Sequence, residues 1–212
     1  MLLPTTCPIC RRPGRAPCDG CAADLLAAPG LPTPPEVDVC TAVLAYEGAG
    51  RELVARLKYR NARSALRWLA VRMAAPIDAA SIDVVTWVPT TSARRRERGF
   101  DQAELLARAV ARELGLPCRE LVRRRGGPVQ TGRTALERRR GPIVELRAAV
   151  IPQRVLVVDD VVTTGTSVSV VARTLRGGGA QFVRVVAAAR TSLKRVEQAS
   201  EVSGDGPDDH GT

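Results

Sequence analysis

Residues 155–167 constrain the fold of this chain more than any other stretch. They begin with four apolar residues, Val-Leu-Val-Val, continue with the adjacent carboxylates Asp159 and Asp160, and lead through Thr and Gly into a predicted helix at 167–176. An unbroken apolar run of this length is typical of a strand that is buried on both faces. Such strands belong to parallel sheets covered by helices, in which ligands bind outside the carboxyl ends of the strands.

The same segment has the residue types of a sugar phosphate site. Free N–H groups at a helix N-terminus attract an anion such as phosphate, and two carboxylates can accept hydrogen bonds from neighbouring ribose hydroxyls. Further hydroxyl donors are Thr163, Thr164, Thr166 and Ser167. A simpler interpretation is helix capping, since Ser, Thr and Asp are common before helices. Capping explains one or two of these residues, but not two charges directly after a buried strand, where burial is costly.

The rest of the chain alternates predicted strands with predicted helices. In the helix predicted at 101–114, the apolar residues Leu105, Leu106, Val110 and Leu114 share one face. We predict strands at 39–46, 83–88, 119–123, 155–158 and 182–188, and helices at 22–28, 50–59, 64–75, 101–114 and 167–176. This order predicts the α/β class, with a mostly parallel sheet flanked by helices.

Four of the six cysteines form two CxxC turns near the N-terminus: Cys7, Cys10, Cys18 and Cys21. Each turn presents two thiolates toward one point, so the four together have the arrangement of a tetrahedral zinc site. Redox-active thiols and a chance spacing are the alternatives. Four thiolate ligands leave no open position on zinc, which favours a structural role. Cys40 and Cys118 flank predicted strands and are expected to be buried as apolar residues.

Composition excludes several classes of protein. Hydrophobic residues make up 45% of the chain, as in a globular protein rather than a disordered one. The apolar runs are too short to cross a bilayer. Residues 1–8 lack a basic segment followed by an apolar one, so we expect no signal peptide and a cytoplasmic protein. The single histidine, His210, excludes a Ser-His-Asp or Cys-His catalytic unit and a His-rich metal centre.

Positive charge is concentrated in one block of the sequence. The chain carries 32 Lys and Arg against 22 Asp and Glu, a formal charge of +10. Residues 94–140 hold 14 Arg against 6 acids, a balance of +8, whereas residues 196–212 hold five acids and neither Lys nor Arg. The block suits a polyanionic ligand, although a GC-rich genome would also favour Arg. The acidic tail is expected to be disordered.

Residues 155–167 resemble the loop that binds phosphoribosyl pyrophosphate (PRPP) in type I phosphoribosyltransferases. Two further stretches narrow the resemblance. Residues 88–92 (Val-Pro-Thr-Thr-Ser) and residues 94–102 (Arg-Arg-Arg-Glu-Arg-Gly-Phe-Asp-Gln) are similar to a stretch of the ComF family. The double CxxC and the Leu-Lys-Tyr segment at 57–59 also resemble that family, and the resemblance extends to about Arg190.

The resemblance implies a type I phosphoribosyltransferase fold with a hood loop, preceded by a small zinc knuckle. The expected domains are a four-cysteine knuckle at 1–28, a Pro-rich linker at 29–38, a phosphoribosyltransferase-like domain at 39–195 and the acidic tail at 196–212. The polar loop between Arg123 and Gly141 would be the hood, which closes over PRPP and excludes water. Asp101, Gly127 and Gly141 stand where the family usually has Asn, Thr and Asn.

The resemblance also implies a role for each matching residue. Asp159 and Asp160 would be the catalytic carboxylates and would bind the ribose hydroxyls, and the following turn would bind the 5′-phosphate. The implied PRPP-binding residues are Asp159, Asp160, Val161, Thr163, Thr164, Gly165, Thr166 and Ser167. The implied pyrophosphate and hood residues are Thr90, Thr91, Ser92, Arg94, Arg98, Gln130, Arg138 and Arg139. A solvated basic face is the alternative for each of these arginines. The implied cofactors are structural Zn²⁺ at the four cysteines and Mg²⁺ bound with PRPP.

The expected function is that of a ComF-like phosphoribosyltransferase that binds PRPP with Mg²⁺. It would transfer or recognise a phosphoribosyl group in a process linked to DNA uptake and its machinery. The alternatives are a catalytically silent protein that binds single-stranded DNA on the same fold, and a PRPP-responsive regulator. PRPP and DNA are both polyanions, so either suits the basic block. A DNA-binding protein of this kind is expected to have aromatic stacking platforms, whereas most of the six aromatic residues lie on predicted core faces.

Overall fold

A computed structural model describes residues 6–30, 32–57, 64–91, 95–96, 99–125, 143–147 and 153–192. Strands and helices alternate along these residues. The strands are β1 (Val39–Ala45), β2 (Val84–Trp87), β3 (Val122–Arg124), β4 (Val144–Leu146), β5 (Arg154–Val162) and β6 (Phe182–Arg190). The α-helices are α1 (Asp19–Ala23), α2 (Gly48–Arg56), α3 (Ser64–Ala74), α4 (Gln102–Leu114) and α5 (Thr166–Gly177), and a 3₁₀ turn spans Ala79–Ser81.

The main sheet has four strands in the order β1-β6-β5-β2, and every neighbouring pair is parallel. The strand β5 occupies an inner position, and its residues from Val155 to Asp159 are all buried. All four residues of β2 are buried as well. The short strands β3 and β4 form a separate antiparallel pair. The predicted α/β class with a mostly parallel sheet is therefore confirmed.

Helices pack on both faces of the main sheet and form two core clusters. On one face, Leu53 of α2, Met73 of α3 and Leu106 of α4 pack against Val85 and Leu156 of the sheet. On the other face, the core cluster contains residues of α5, β3, β5 and β6. Fully burying one Leu or Met side chain stabilises a fold by about 1.5–3 kcal/mol. Together the two clusters hold the sheet rigid between its helical layers, so the carboxyl ends of the strands have fixed positions.

Most predicted elements are found within a few residues of their expected bounds, but the helix predicted at 22–28 is wrong. The helix α1 begins at Asp19, inside the second CxxC turn, and ends at Ala23. The residues after it pair with β1 instead: the Ala45 N–H donates to the Leu26 carbonyl at 2.9 Å, and the Ala28 N–H donates to the Val43 carbonyl at 3.2 Å. These backbone hydrogen bonds to the sheet outweigh the helical preference of Ala and Leu.

Three further differences concern two pairs of residues and one short strand. The strand β5 continues to Val162, so Asp159 and Asp160 lie within the strand and not after it. Cys40 and Cys118, which were expected to be buried, are half-buried, and each packs against one of the core clusters. The strand β4 was not predicted, because three residues carry too weak a pattern to be recognised without their partner.

Both outer edges of the main sheet are covered by other parts of the described chain. At the β1 edge, Ala27 forms an antiparallel bridge with Leu44. At the β2 edge, Cys118 forms a parallel bridge with Val85, flanked by hydrogen bonds of the Val85 backbone to Pro117 and Arg119. Among the described residues, no helix is long and apolar enough to cross a membrane.

Candidate functional site

A cavity of about 310 Å³ lies at the carboxyl ends of the parallel strands. Its wall combines the end of β5, the turn before α5, the loop after β2, the start of α4 and the end of β3. The lining residues are Tyr46, Val88, Pro89, Thr90, Phe100, Asp101, Gln102, Ala103, Arg124, Asp159, Asp160, Val161, Thr163 and Ser167. This position is the one in which open α/β sheets bind ligands.

Two adjacent carboxylates from β5 form the most acidic part of the wall. Asp159 is buried, with 8% of its surface exposed, and Asp160 is half-buried. An oxygen of Asp159 accepts a hydrogen bond from the Asp160 N–H at 2.9 Å, and an oxygen of Asp160 accepts one from the Val161 N–H at 2.8 Å. Burial raises the pKa of Asp159 well above its usual range, and the neighbouring charges of Asp160 and Asp101 raise it further. A hydroxyl donor or a cation bound beside Asp159 would stabilise its ionised form and so offset the effect of burial.

The turn after β5 places a helix start beside these carboxylates. Gly165 precedes α5 with a left-handed φ of 79°, a conformation that glycine adopts without steric cost. The hydroxyls of Thr164 and Thr166 lie 2.9 Å apart. Thr163 and Ser167 line the cavity, whereas Thr164, Gly165 and Thr166 are not among its lining residues. The first N–H groups of α5 are therefore close to the wall, as anion binding at a helix start requires.

Asp101 joins the loop after β2 to the start of α4. One of its oxygens accepts a hydrogen bond from the Ala103 N–H at 3.0 Å, as an N-cap, and the other accepts one from the Thr90 N–H at 3.0 Å. The side chain is only 5% exposed. Burial raises the pKa of Asp101, although the backbone N–H groups partly lower it again. A carboxylate at this position has an acceptor for each of the two N–H groups.

Replacing Asp101 by Ala is expected to lower the free energy of unfolding by about 1–2 kcal/mol, because an N-cap and a second, partly buried hydrogen bond are both lost. Asp78→Ala is the matched control, since Asp78 accepts from the Ala80 N–H in the same way but at an exposed 3₁₀ turn. Urea unfolding of both variants measures the two effects. Equal losses would show that the link from Asp101 to Thr90 adds nothing to simple capping.

The four N-terminal cysteines converge on one point. Their sulfur atoms all lie within 4.8 Å of one another, and the sulfurs of Cys10 and Cys18 are 3.7 Å apart. Two sulfurs on a tetrahedral zinc ion with bonds of 2.3 Å would be about 3.8 Å apart. The residues therefore fit a zinc ion held by four thiolates, and among the described residues no other group of three or more His, Cys, Asp or Glu could hold a metal.

Backbone hydrogen bonds shape the first CxxC turn for this role. The Cys7 N–H donates to the Arg12 carbonyl and the Arg11 N–H donates to the Cys7 carbonyl, both at 2.9 Å. The Cys18 N–H points at the Cys7 sulfur, 3.5 Å away. Burial raises the pKa of Cys7, but backbone N–H groups of Cys18, Cys10 and Ile9 outweigh it and lower that pKa to about 6. In the same cluster, burial and the neighbouring cysteines raise the pKa of Cys21 to about 12. The four thiols therefore do not all ionise readily by themselves, and a bound cation would favour the thiolate form of each.

The chain is similar to a known protein family, to characterised relatives and to solved structures. Residues 101–208 match the family described as "Phosphoribosyl transferase domain". Competence protein F of Haemophilus influenzae is 30% identical over 152 residues, which cover 65% of this chain and 66% of that protein. DNA utilization protein YhgH of Escherichia coli is 30% identical over 203 residues, which cover 88% of this chain and 85% of that protein.

This chain belongs to the ComF family. It has the type I phosphoribosyltransferase fold, with a parallel sheet flanked by helices and four N-terminal cysteines that could form a small zinc site. Among solved structures, glutamine PRPP amidotransferase from B. subtilis is similar, with a TM-score of 0.46 and 23% identity over 63% of this chain and 30% of that one.

The structure of the ComF-family chain brings six of the residues implied by the resemblance to one cavity: Thr90, Asp159, Asp160, Val161, Thr163 and Ser167. Thr91 follows Thr90 but is not among the lining residues. The remaining predicted pyrophosphate and hood residues lie outside the described residues, namely Ser92, Arg94, Arg98, Gln130, Arg138 and Arg139. The structure does describe β3 and β4, which flank the predicted hood in the sequence and pair with each other.

Several lining residues of the ComF-family site were not predicted as site residues. Tyr46 is the last residue of the strand predicted at 39–46 and follows β1 in the structure, and Arg124 ends β3. Gln102 and Phe100 lie beside Asp101 at the start of α4. The signal that could have found Tyr46 and Arg124 is their position at the carboxyl ends of predicted strands, where ligands bind in this class of fold.

Proposed function

We propose that this protein binds PRPP with Mg²⁺ in the cavity and transfers or recognises its phosphoribosyl group. The observation that carries the proposal is the pair Asp159 and Asp160, held at the end of β5 beside the left-handed turn that starts α5. Burial makes an ionised Asp159 costly in the unliganded site, and the neighbouring charge of Asp160 adds to that cost. The cavity of about 310 Å³ is large enough for a compact small-molecule ligand.

The expected binding mode assigns each part of PRPP to one part of the wall. Asp159 and Asp160 would accept hydrogen bonds from the ribose hydroxyls. The N–H groups at the start of α5, with the hydroxyls of Thr163 and Ser167, would donate to the 5′-phosphate. Thr90, on the loop after β2, would face the pyrophosphate. Mg²⁺ prefers oxygen donors such as these carboxylates, and when bound it would supply charge neutralisation for the pyrophosphate.

Phosphoribosyl transfer breaks the bond between ribose C1 and pyrophosphate through an oxocarbenium-like state. The protein has to hold the ribose, exclude water and stabilise the charge of the leaving group, and needs no protein nucleophile. Carboxylates near the ribose also suit a transition state with positive character at the ring. A site without histidine is thus compatible with this reaction.

The names of the relatives, which refer to competence and DNA utilization, favour a role in the handling of DNA taken up by the cell. We propose that the protein acts in the cytoplasm. Binding of single-stranded DNA is the second candidate, since residues 94–140 carry a balance of +8. The aromatic residues argue against it. Five of them lie within the described residues (Tyr46, Trp68, Trp87, Phe100 and Phe182). Trp87 is buried and the other four are half-buried, with Tyr46 and Phe100 in the wall of the cavity. The described surface therefore has no row of exposed rings on which successive bases could stack.

Two titrations on one preparation separate the candidates. Calorimetry with PRPP and Mg²⁺ is expected to give saturable binding at one site per chain. Binding of a single-stranded oligonucleotide, measured against salt, is expected to be weak at physiological ionic strength. An absent PRPP response, together with a steep loss of oligonucleotide affinity as salt rises, would instead support the DNA-binding candidate.

A further inference from the structure

The Pro-rich segment at residues 32–38 lies directly against the turn that starts α5. Pro34 is buried, although its neighbours Pro32, Pro35 and Glu36 are exposed. A Cβ atom placed on Gly165 would lie 2.8 Å from Cγ and 2.9 Å from Cβ of Pro34. The ring of Pro34 therefore occupies the space in which any other residue at position 165 would have its side chain.

Polar contacts hold this segment on both sides of Pro34. On one side, Nη2 of Arg190 donates to the Pro32 carbonyl at 2.7 Å. On the other, Nη2 of Arg176 donates to Oδ2 of Asp38 at 2.6 Å, and the same oxygen accepts from the Val183 N–H at 2.7 Å. Arg176 belongs to α5, and the other two partners belong to β6, which pairs with β5. The segment is therefore held to the helix that the turn starts and to the strand beside the one that precedes the turn.

We propose that Pro34 is a positioning residue that holds the turn at Gly165 in its left-handed conformation before any ligand arrives. Glycine has more accessible backbone conformations than any other residue, and most of this freedom must be given up when a turn orders around an anion. A proline ring fastened over the turn removes that freedom in advance. The gain in affinity is then one of preorganisation, without a contact between Pro34 and the ligand.

The assignment of the ligand rests on the proposed function, but the effect on the turn does not. In the protein without ligand, Pro34→Gly is expected to raise hydrogen exchange of the backbone amides of residues 163–169 by about tenfold. Pro32→Gly is the matched control, because it removes an exposed ring from the same segment and keeps the carbonyl that binds Arg190. We expect that control to leave exchange at the turn unchanged.

A ligand measurement and a pair of variants complete the test. Pro34→Gly is expected to weaken PRPP binding by about tenfold in calorimetry. Gly165→Ala should weaken PRPP binding more, because Ala disfavours the positive φ at this position and its Cβ would collide with Pro34. The double variant Gly165→Ala/Pro34→Gly lacks this collision and should recover part of the lost affinity. Unchanged exchange at the turn, faster exchange throughout β6 as well, or strictly additive effects would each overturn the proposal. If the wild-type protein binds no PRPP, the proposed function fails, while the exchange comparison still decides the role of Pro34.

Discussion

The double variant Asp159→Asn/Asp160→Asn is expected to bind PRPP at least about 100-fold more weakly than the wild type, because hydrogen bonds to charged acceptors contribute about 1.5–3 kcal/mol each. Asn has the same shape as Asp and keeps an oxygen for the Asp160 and Val161 N–H groups, so the backbone bonds at the end of β5 can remain. The loss should therefore appear in binding while the fold stays intact.

The same variant is expected to be more stable than the wild type at pH 7, with a higher free energy of unfolding. Burial and the charge of Asp160 raise the pKa of Asp159 in the folded protein above its unfolded value of about 3.9. A group with a raised folded pKa binds protons more strongly in the folded state, so its ionisation destabilises the fold as pH rises. The advantage of the variant should therefore be largest at neutral pH and shrink as pH falls toward about 4.

Asp83→Asn is a control for which the expected change in stability at neutral pH is opposite, a loss instead of a gain. Asp83 forms hydrogen bonds with Arg154, which lower the pKa of its carboxyl group. Its contribution to stability is present above its unfolded pKa and is lost as pH falls, so the control variant should be less stable than the wild type at neutral pH. Calorimetry with PRPP and urea unfolding at a series of pH values measure all three proteins. A double variant that binds PRPP normally would contradict the assigned role of the carboxylates.

Replacing Cys10 and Cys18 by Ser is expected to abolish zinc binding and to lower the free energy of unfolding by about 3 kcal/mol or more, because a structural zinc site contributes folding energy directly. The loss should extend beyond the knuckle. Ile9 and Leu25 pack against the core cluster that includes α2, α3 and α4. The Ala45 amide, which donates to Leu26, should exchange faster once the N-terminal segment is released from β1.

Metal analysis and exchange measurements test this prediction together. The wild type should carry one zinc ion per chain, and cobalt substitution should give the visible spectrum of a tetrahedral thiolate site. Cys118→Ala is the matched control, since it removes a half-buried cysteine outside the cluster and should keep the metal. Zinc content that is unchanged in the Cys10 and Cys18 variant, or normal stability after chelation, would show that the four cysteines are not a structural metal site.

The sequence was sufficient for the parts of the fold whose signals are local. The apolar run before Asp159, the Gly-containing turn and the amphipathic helix after it each follow from a short pattern, and the sheet class follows from their order. The paired CxxC turns likewise predicted that four cysteines would converge. In each case the residues that decide the structure are neighbours in the sequence, so no tertiary partner has to be known.

Features that depend on distant partners could not be predicted in this way. The link from Asp101 to Thr90 spans a loop, and nothing in the sequence around either residue specifies the other. The segment after α1 has residues that favour a helix, but β1 supplies its hydrogen bonds. The contact between Pro34 and Gly165 joins residues that are far apart in the chain. It depends on the packing of residues 32–38 against α5 and β6, which no local sequence pattern specifies.

The covering of the β1 edge by residues 26–28 has a consequence for self-association. An uncovered edge strand offers unpaired backbone groups to any other chain, and is a common starting point for aggregation. Here the cover follows the cysteine cluster in the chain, so if the four cysteines hold a metal ion, its removal is expected to loosen the cover and expose β1. If that ion is zinc, the protein without it is expected to assemble through this edge, and zinc would then preserve solubility as well as stability.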